Sequence, residues 1–358
     1  MMWQRAALMV PLLGIPLLMG VIYAATPAPS AQAPSAVDQF YVNKTIRMII
    51  GSAAGGGYDI YARTLSNHLG KHIPGRPDVV PTNMPGAGSA KAAAYLYKIA
   101  PKDGSEIGAL FPGAIMDPLV GENRDRGYDP SKFGYLGTLD HGTRICATYV
   151  TSKTKTFDDA RNRRTVLGAS QPGGGTHDYA FMLNNMTGTK FDIVAGYKGS
   201  LDILLAMERG EVEGLCGYDW SSLKSQRPEW IRDKKVNVFL QVALEPDPTL
   251  AGMGVPTLWH FIQNPEERKV AELIVSQQIF NRSYLVPPGI PADRLKALRD
   301  AFMATTTDPS FVADAKSARI DLSPLPGERV QQVVQELYAS PADVVEKASQ
   351  VIAAEPKM

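Results

Sequence analysis

Two glycine-rich stretches carry the residues best placed to do chemistry. In the first, Ile46-Arg-Met-Ile-Ile-Gly-Ser-Ala-Ala-Gly-Gly-Gly-Tyr-Asp-Ile-Tyr-Ala-Arg63, an apolar run enters three glycines and an amphipathic helical pattern follows at once. Such a turn leaves the first N–H groups of the helix without partners and adds the positive end of the helix dipole. It is a place to hold an anion, most simply a carboxylate. A second turn, Gly168–Thr176, repeats the device further along the chain.

Other chemistries fit these stretches less well. A dinucleotide fingerprint needs GxGxxG and an acid at the end of the second strand, where this chain has Thr82-Asn83. A phosphate loop needs Gly-Lys-Ser/Thr, which is absent. A carboxylate cradle and a tight packing turn both remain open for Gly55–Gly57. Gly173-Gly-Gly-Thr176 alone resembles a flexible loop, but its place after the first strand of a second parallel unit favours a binding turn. Ser170 and Thr176 would add hydroxyl donors there.

His68 and His72 stand at i, i+4, but Gly70 lies between them and no Glu follows His68 as in HExxH, so they read as solvated side chains. His141, His177 and His260 are scattered. Cys146 and Cys216 each sit in an apolar, strand-like run, as a bridge or as two buried thiols. No Gly-x-Ser-x-Gly elbow or paired carboxylates emerge. The chain reads as a binder, not an enzyme, with no cofactor and no metal. Asp219 and Trp220 follow a strand expected over Val212–Cys216, which puts them at the mouth of a cleft. Trp220 is then either a stacking wall or a core tryptophan.

The elements that must position these turns come in two similar sets. The first has strand Ile46–Ile50, helix Asp59–Leu69, strand Asp78–Thr82, helix Ala90–Ile99 and strand Ser105–Leu110. Asp59 and Arg63 are spaced to pair. Gly127–Leu139 carries loop signals. The second set has strands Thr165–Ala169, Phe191–Ala195 and Val212–Cys216, with helices His177–Asn185 and Leu201–Arg209 between them. Strand–helix alternation with short links predicts mostly parallel sheets flanked by helices, an α/β class. Val236–Val242 is expected to return the chain to the first lobe. Lobe 1 then covers 38–143 and 240–358, and lobe 2 covers 144–239.

Bulk properties agree. The 358 residues suit two ordinary domains, and a 44% hydrophobic content is globular. The charges are 37 Lys+Arg and 36 Asp+Glu. Arg5 is the one charged residue before the body, so the remainder is formally neutral, which argues against nucleic-acid binding. Arg5 precedes the uncharged run Ala6–Ala25, so 1–25 reads as a signal peptide or an uncleaved N-terminal anchor. The Pro/Ala-rich segment 26–37 reads as a linker.

On these residues the chain resembles a known family, the Bug-type solute-binding proteins of tripartite tricarboxylate transporters. Gly51-Ser-Ala-Ala-Gly-Gly-Gly-Tyr-Asp-Ile-Tyr-Ala-Arg63 is similar to their first signature. Asn83-Met-Pro-Gly-Ala-Gly88 is similar to their second and Ala100-Pro-Lys-Asp-Gly104 to a third. Gly196-Tyr-Lys-Gly-Ser200 with Ala206–Val212, then Val255-Pro-Thr257 and Pro287–Pro291, follow in the family order. The resemblance implies a two-lobed type II periplasmic binding protein fold, a periplasmic location and a monomer. It further implies a small organic carboxylate held between the lobes and handed to membrane permease subunits. The alternative is a periplasmic sensor that presents its ligand to a membrane receptor.

By match of motif, the first grip falls on Ala54, Gly55, Gly56, Gly57 and Tyr58. The second falls on Ser170, Gly174, Gly175 and Thr176, with Tyr197, Gly199 and Ser200 nearby. The family commonly has Pro-Phe in place of Gly51-Ser52 and Thr or Ser in place of Tyr58. The tyrosine is therefore expected to reshape the pocket.

Overall fold

The computed structural model describes residues 35–121 and 124–353. The expected leader 1–25 and most of the linker lie outside them. The linker's last residues do not. Ser35 caps a helix at Ala36–Tyr41 in a capping box with Asp38, so local hydrogen bonding ends the linker early.

Two sheets form the body. The first contains β1 (Thr45–Ile50), β2 (Asp78–Asn83), β3 (Glu106–Ala109), β4 (Gly134–Thr138), β10 (Ser283–Val286) and β11 (Leu325–Pro326), in the order β11-β4-β10-β3-β1-β2. The second contains β5 (Arg144–Tyr149), β6 (Thr165–Ala169), β7 (Phe191–Ala195), β8 (Gly214–Asp219) and β9 (Val236–Val242), in the order β7-β6-β8-β5-β9.

Each sheet is mixed, not mostly parallel. β1 pairs parallel with β2 and β3, while β10 and β11 pair antiparallel. β6 pairs parallel with β7 and β8, while β5 runs antiparallel to β8 and β9. The parallel halves are those with helical crossovers. The antiparallel strands are the ones laid down as the chain passes between sheets, which strand–helix alternation does not reveal.

Other boundaries shift for similar reasons. Val236–Val242 remains in the second sheet, where it pairs with β5 in register from Tyr149↔Val236 to Arg144↔Val242. The return to the first sheet therefore comes after 242, not at 240. The expected loop Gly127–Leu139 contains β4, whose glycines Gly134 and Gly137 disguised a buried strand. The strand expected at Val212–Cys216 is Gly214–Asp219, so Asp219 ends it.

The core explains why these elements form. Tyr61, Ala62, Leu65 and Leu69 line one face of helix Gly57–Leu69, packed with Ile46, Met48 and Ile50 of β1 and with Leu298, Phe302 and Phe311 from the C-terminal helices. Contrary to the solvated reading, His68 is buried and His72 half-buried, and each is paired. Their Nε2 atoms lie 2.7 Å from Asp314 and Asp308, which fastens helix Pro309–Ser317 and its N-cap to the end of this helix and the turn after it. The final helix, Ala342–Ile352, leaves the first sheet and packs against helix Gly175–Thr187. Its apolar stripe Val345, Ala348 and Ile352 is legible in sequence, but not which neighbour covers it. Among the described residues, no helix is long and apolar enough to cross a membrane.

Candidate functional site

The two glycine turns fold almost alike. Gly55 and Gly173 take left-handed φ of 82° and 80°, a conformation open to glycine. Gly56 and Gly174 are the N-caps of helices Gly57–Leu69 and Gly175–Thr187, and neither helix has a side-chain cap. An aspartate in each first turn folds back onto the loop. Asp59 accepts the Gly55 amide at 2.9 Å, and Asp178 accepts the Gly173 amide at 3.1 Å.

The helical ladders begin with Ile60 N–H to the Gly56 carbonyl and Asp178 N–H to the Gly174 carbonyl. The amides of Gly57 and Tyr58, and those of Gly175 and Thr176, precede those bonds and face outward from the helix ends. A third helix, Ser200–Glu208, starts the same way, with Gly199 as its N-cap and no side-chain cap.

All three helix starts line one cavity of about 190 Å³, with Ser52, Phe111, Arg144, Tyr218 and Asp219 among its other walls. At about 30 Å³ per water in bulk liquid, that space matches roughly six waters, the size of a small organic acid. The segments that follow β1 and β3 of the first sheet contribute, with residues of β5 and β8 of the second, so the cavity lies where the lobes meet.

Of the residues expected here, Ala54, Gly56, Gly57, Tyr58, Ser170, Gly174, Gly175, Thr176, Gly199, Ser200 and Asp219 line the cavity. Three do not. Gly55 shapes the turn, with its amide committed to Asp59. Tyr197 packs against the core of the second sheet. Trp220 is buried in that core and lines a separate cavity beside Asp140, because β8 runs on to Asp219 and turns its next residue inward.

The first turn is braced from the second family-like motif. Asn83 donates to the Ser52 carbonyl at 2.9 Å and to Asp59 at 2.8 Å, and Arg63 pairs with Asp59 at 2.9 Å. Cys146 and Cys216 are register partners on β5 and β8, joined as a disulfide behind the site.

Sequence reasoning missed a buried ionic cluster against the cavity wall. Asp219 lies 2.9 Å from Nη2 of Arg282 and 3.3 Å from Nε of Arg144, and it accepts the Asn281 amide at 2.7 Å. Arg144 also donates to the Gly217 carbonyl at 3.0 Å, to Asn281 at 2.7 Å and to the Tyr58 hydroxyl at 3.3 Å. Tyr58 is thus built into the floor of the site: its hydroxyl donates to Asn281 at 2.9 Å and Arg282 stacks 3.9 Å from its ring centre. The available signal was an arginine opening an apolar strand, Arg144-Ile-Cys-Ala, and a polar Asn281-Arg282 pair between apolar runs.

Electrostatics follow from this packing. Burial opposes ionisation of Asp219, but Arg144 and Arg282 outweigh it and hold its carboxyl below the ordinary carboxylate value. Burial raises the pKa of the Tyr58 phenol, which keeps the proton it donates to Asn281. Asp140, buried on the far side of Arg282, is raised by burial and bonds to Ser323 at 2.9 Å and Ser221 at 3.3 Å.

No family model and no curated protein matches the sequence. Solved structures do match it. The periplasmic binding protein BugD superposes with a TM-score of 0.67 at 20% identity, over 86% of this chain and 98% of that one. A Rhodopseudomonas palustris protein solved with adipate gives 0.65 at 20%, over 86% and 97%. MatC from Rhodopseudomonas palustris, with bound malate, gives 0.62 at 18%, over 87% and 99%. The chain has their two-lobed periplasmic binding protein fold, as the sequence motifs implied.

Proposed function

We propose that this chain is an exported Bug-type solute-binding protein. It captures a small organic carboxylate between its lobes and delivers it to the permease of a tripartite tricarboxylate transporter. The observation that carries the reading is the convergence of three glycine-capped, uncapped-by-side-chain helix starts on one small cavity. Structural relatives holding adipate and malate support the class of ligand.

Magnitudes explain why several turns are needed. One helix terminus contributes about 0.3–1 kcal/mol to an anion at the surface and up to about 2 when partly buried. Micromolar affinity requires about 8 kcal/mol. A single turn falls short. Facing turns, several charge-assisted hydrogen bonds and expulsion of water reach it together, which is the role of lobe closure.

Isothermal titration of protein unfolded, dialysed and refolded to remove retained acid, against a panel of mono-, di- and tricarboxylates, tests binding. Heat from none of them overturns the proposal. Delivery is tested in a deletion strain: lost uptake of the bound acid supports transport, whereas intact uptake with lost gene induction supports sensing.

A further inference from the structure

We infer that Arg144 is a specificity-determining residue that contacts the bound carboxylate directly and makes the site demand a full negative charge. The inference rests on the carboxylate reading above and adds to it.

Arg144 is buried and held by hydrogen bonds to Gly217, Asn281 and Tyr58. Its side chain is 6% exposed, yet it lines the cavity. A guanidinium has five N–H donors. In Arg144, Nε lies 3.3 Å from Asp219 without a hydrogen bond, Nη2 serves Tyr58 and Asn281, and one Nη1 donor goes to Gly217. The second Nη1 donor has no protein acceptor among the described residues. That nitrogen lies beside the start of helix Gly175–Thr187: a Cβ placed on Gly175 would sit 2.6 Å from it. An anion on the Gly175 and Thr176 amides is therefore within reach of Arg144.

Charge balance points the same way. Asp219 is shared by two buried arginines and lies nearer to Arg282, at 2.9 Å, than to Arg144, at 3.3 Å, so Arg144 is the less fully compensated of the two. Asp140, the remaining buried acid near Arg282, turns to the opposite cavity and its serine partners. Backbone amides and helix dipoles favour a carboxylate over a neutral carbonyl but still accept the carbonyl. A buried, under-compensated guanidinium does not, because only an anion relieves it.

The test pairs residue charge with ligand charge. Adipate and malate, with their diamides, are titrated into wild type, Arg144→Gln and Arg144→Lys. A hydrogen bond to a charged group corresponds to roughly 10- to 100-fold in affinity, so Arg144→Gln should weaken the acid by that factor. Wild type should bind the diamide at least tenfold more weakly than the acid, Arg144→Gln should narrow that gap, and Arg144→Lys should restore part of the acid affinity. Equal weakening of acid and diamide, or no change in either, overturns the inference and leaves the carboxylate reading standing. If Arg144→Gln does not fold, the Lys variant and wild type decide: wild type binding diamide and acid alike also overturns it. No binding of either acid, or of any other acid in the panel, overturns both readings.

Discussion

Gly175 and Arg144 are packed so closely that no side chain fits between them. A Cβ at position 175 would lie 2.6 Å from Nη1 of Arg144 and 3.0 Å from the Gly217 carbonyl. The helix start and the guanidinium thus share one space, and glycine is what allows it. Gly175→Ala should therefore cost about 1–3 kcal/mol of stability through overpacking. It should also weaken acid binding at least tenfold by moving Arg144. Gly199, where a Cβ would meet nothing within 4 Å, is the contrast. Gly199→Ala should cost less than about 1 kcal/mol. Urea denaturation and titration calorimetry on both variants decide it; equal effects would contradict the packing argument.

Asp219 links the two buried arginines, so its removal takes the ion-pair partner from both. Breaking a buried ion pair in this one-sided way typically costs about 3–5 kcal/mol. Asp219→Asn should approach that figure in urea unfolding. Because its folded pKa is depressed, the stability Asp219 contributes is complete above the unfolded value of about 3.9 and lost as pH falls below it. The difference between wild type and Asp219→Asn should stay level from neutral pH down to mild acid and shrink only at stronger acid.

Asp140 titrates in the opposite sense. Burial raises its folded pKa, so its favourable contribution is complete below the unfolded value of about 3.9 and declines as pH rises through the folded value. Asp140→Asn mimics the protonated form. Its melting temperature should gain on that of wild type as pH rises from acid toward neutral. A gap that stays constant with pH would show that Asp140 is not carrying this penalty.

The Cys146–Cys216 bridge closes a span of 70 residues. Loop-closure entropy for that length corresponds to about 4 kcal/mol. Reductant should lower the unfolding free energy by a comparable amount. Thiol titration of the unfolded, unreduced protein should find none; two reactive thiols would mean the cysteines stand unbridged.

The turns and their order were legible in the amino-acid sequence. Strand, glycine run and amphipathic helix are local patterns, readable at Ile46–Leu69 and Thr165–Thr187 because capping and periodicity act within a few residues. The same locality let Asp59 and Arg63 be paired correctly. Tertiary structure alone decided what those turns face. Arg144, Asp219 and the Asn281–Arg282 pair lie far apart in the chain and meet only because the start of β5, the end of β8 and the segment before β10 come together. The lobe membership of Val236–Val242 and the inward turn of Trp220 depended likewise on non-local pairing. Burial then set the charge states, since the free energy of a buried ion is fixed by which partners the fold brings within a few ångströms, and nothing in chain order encodes that distance.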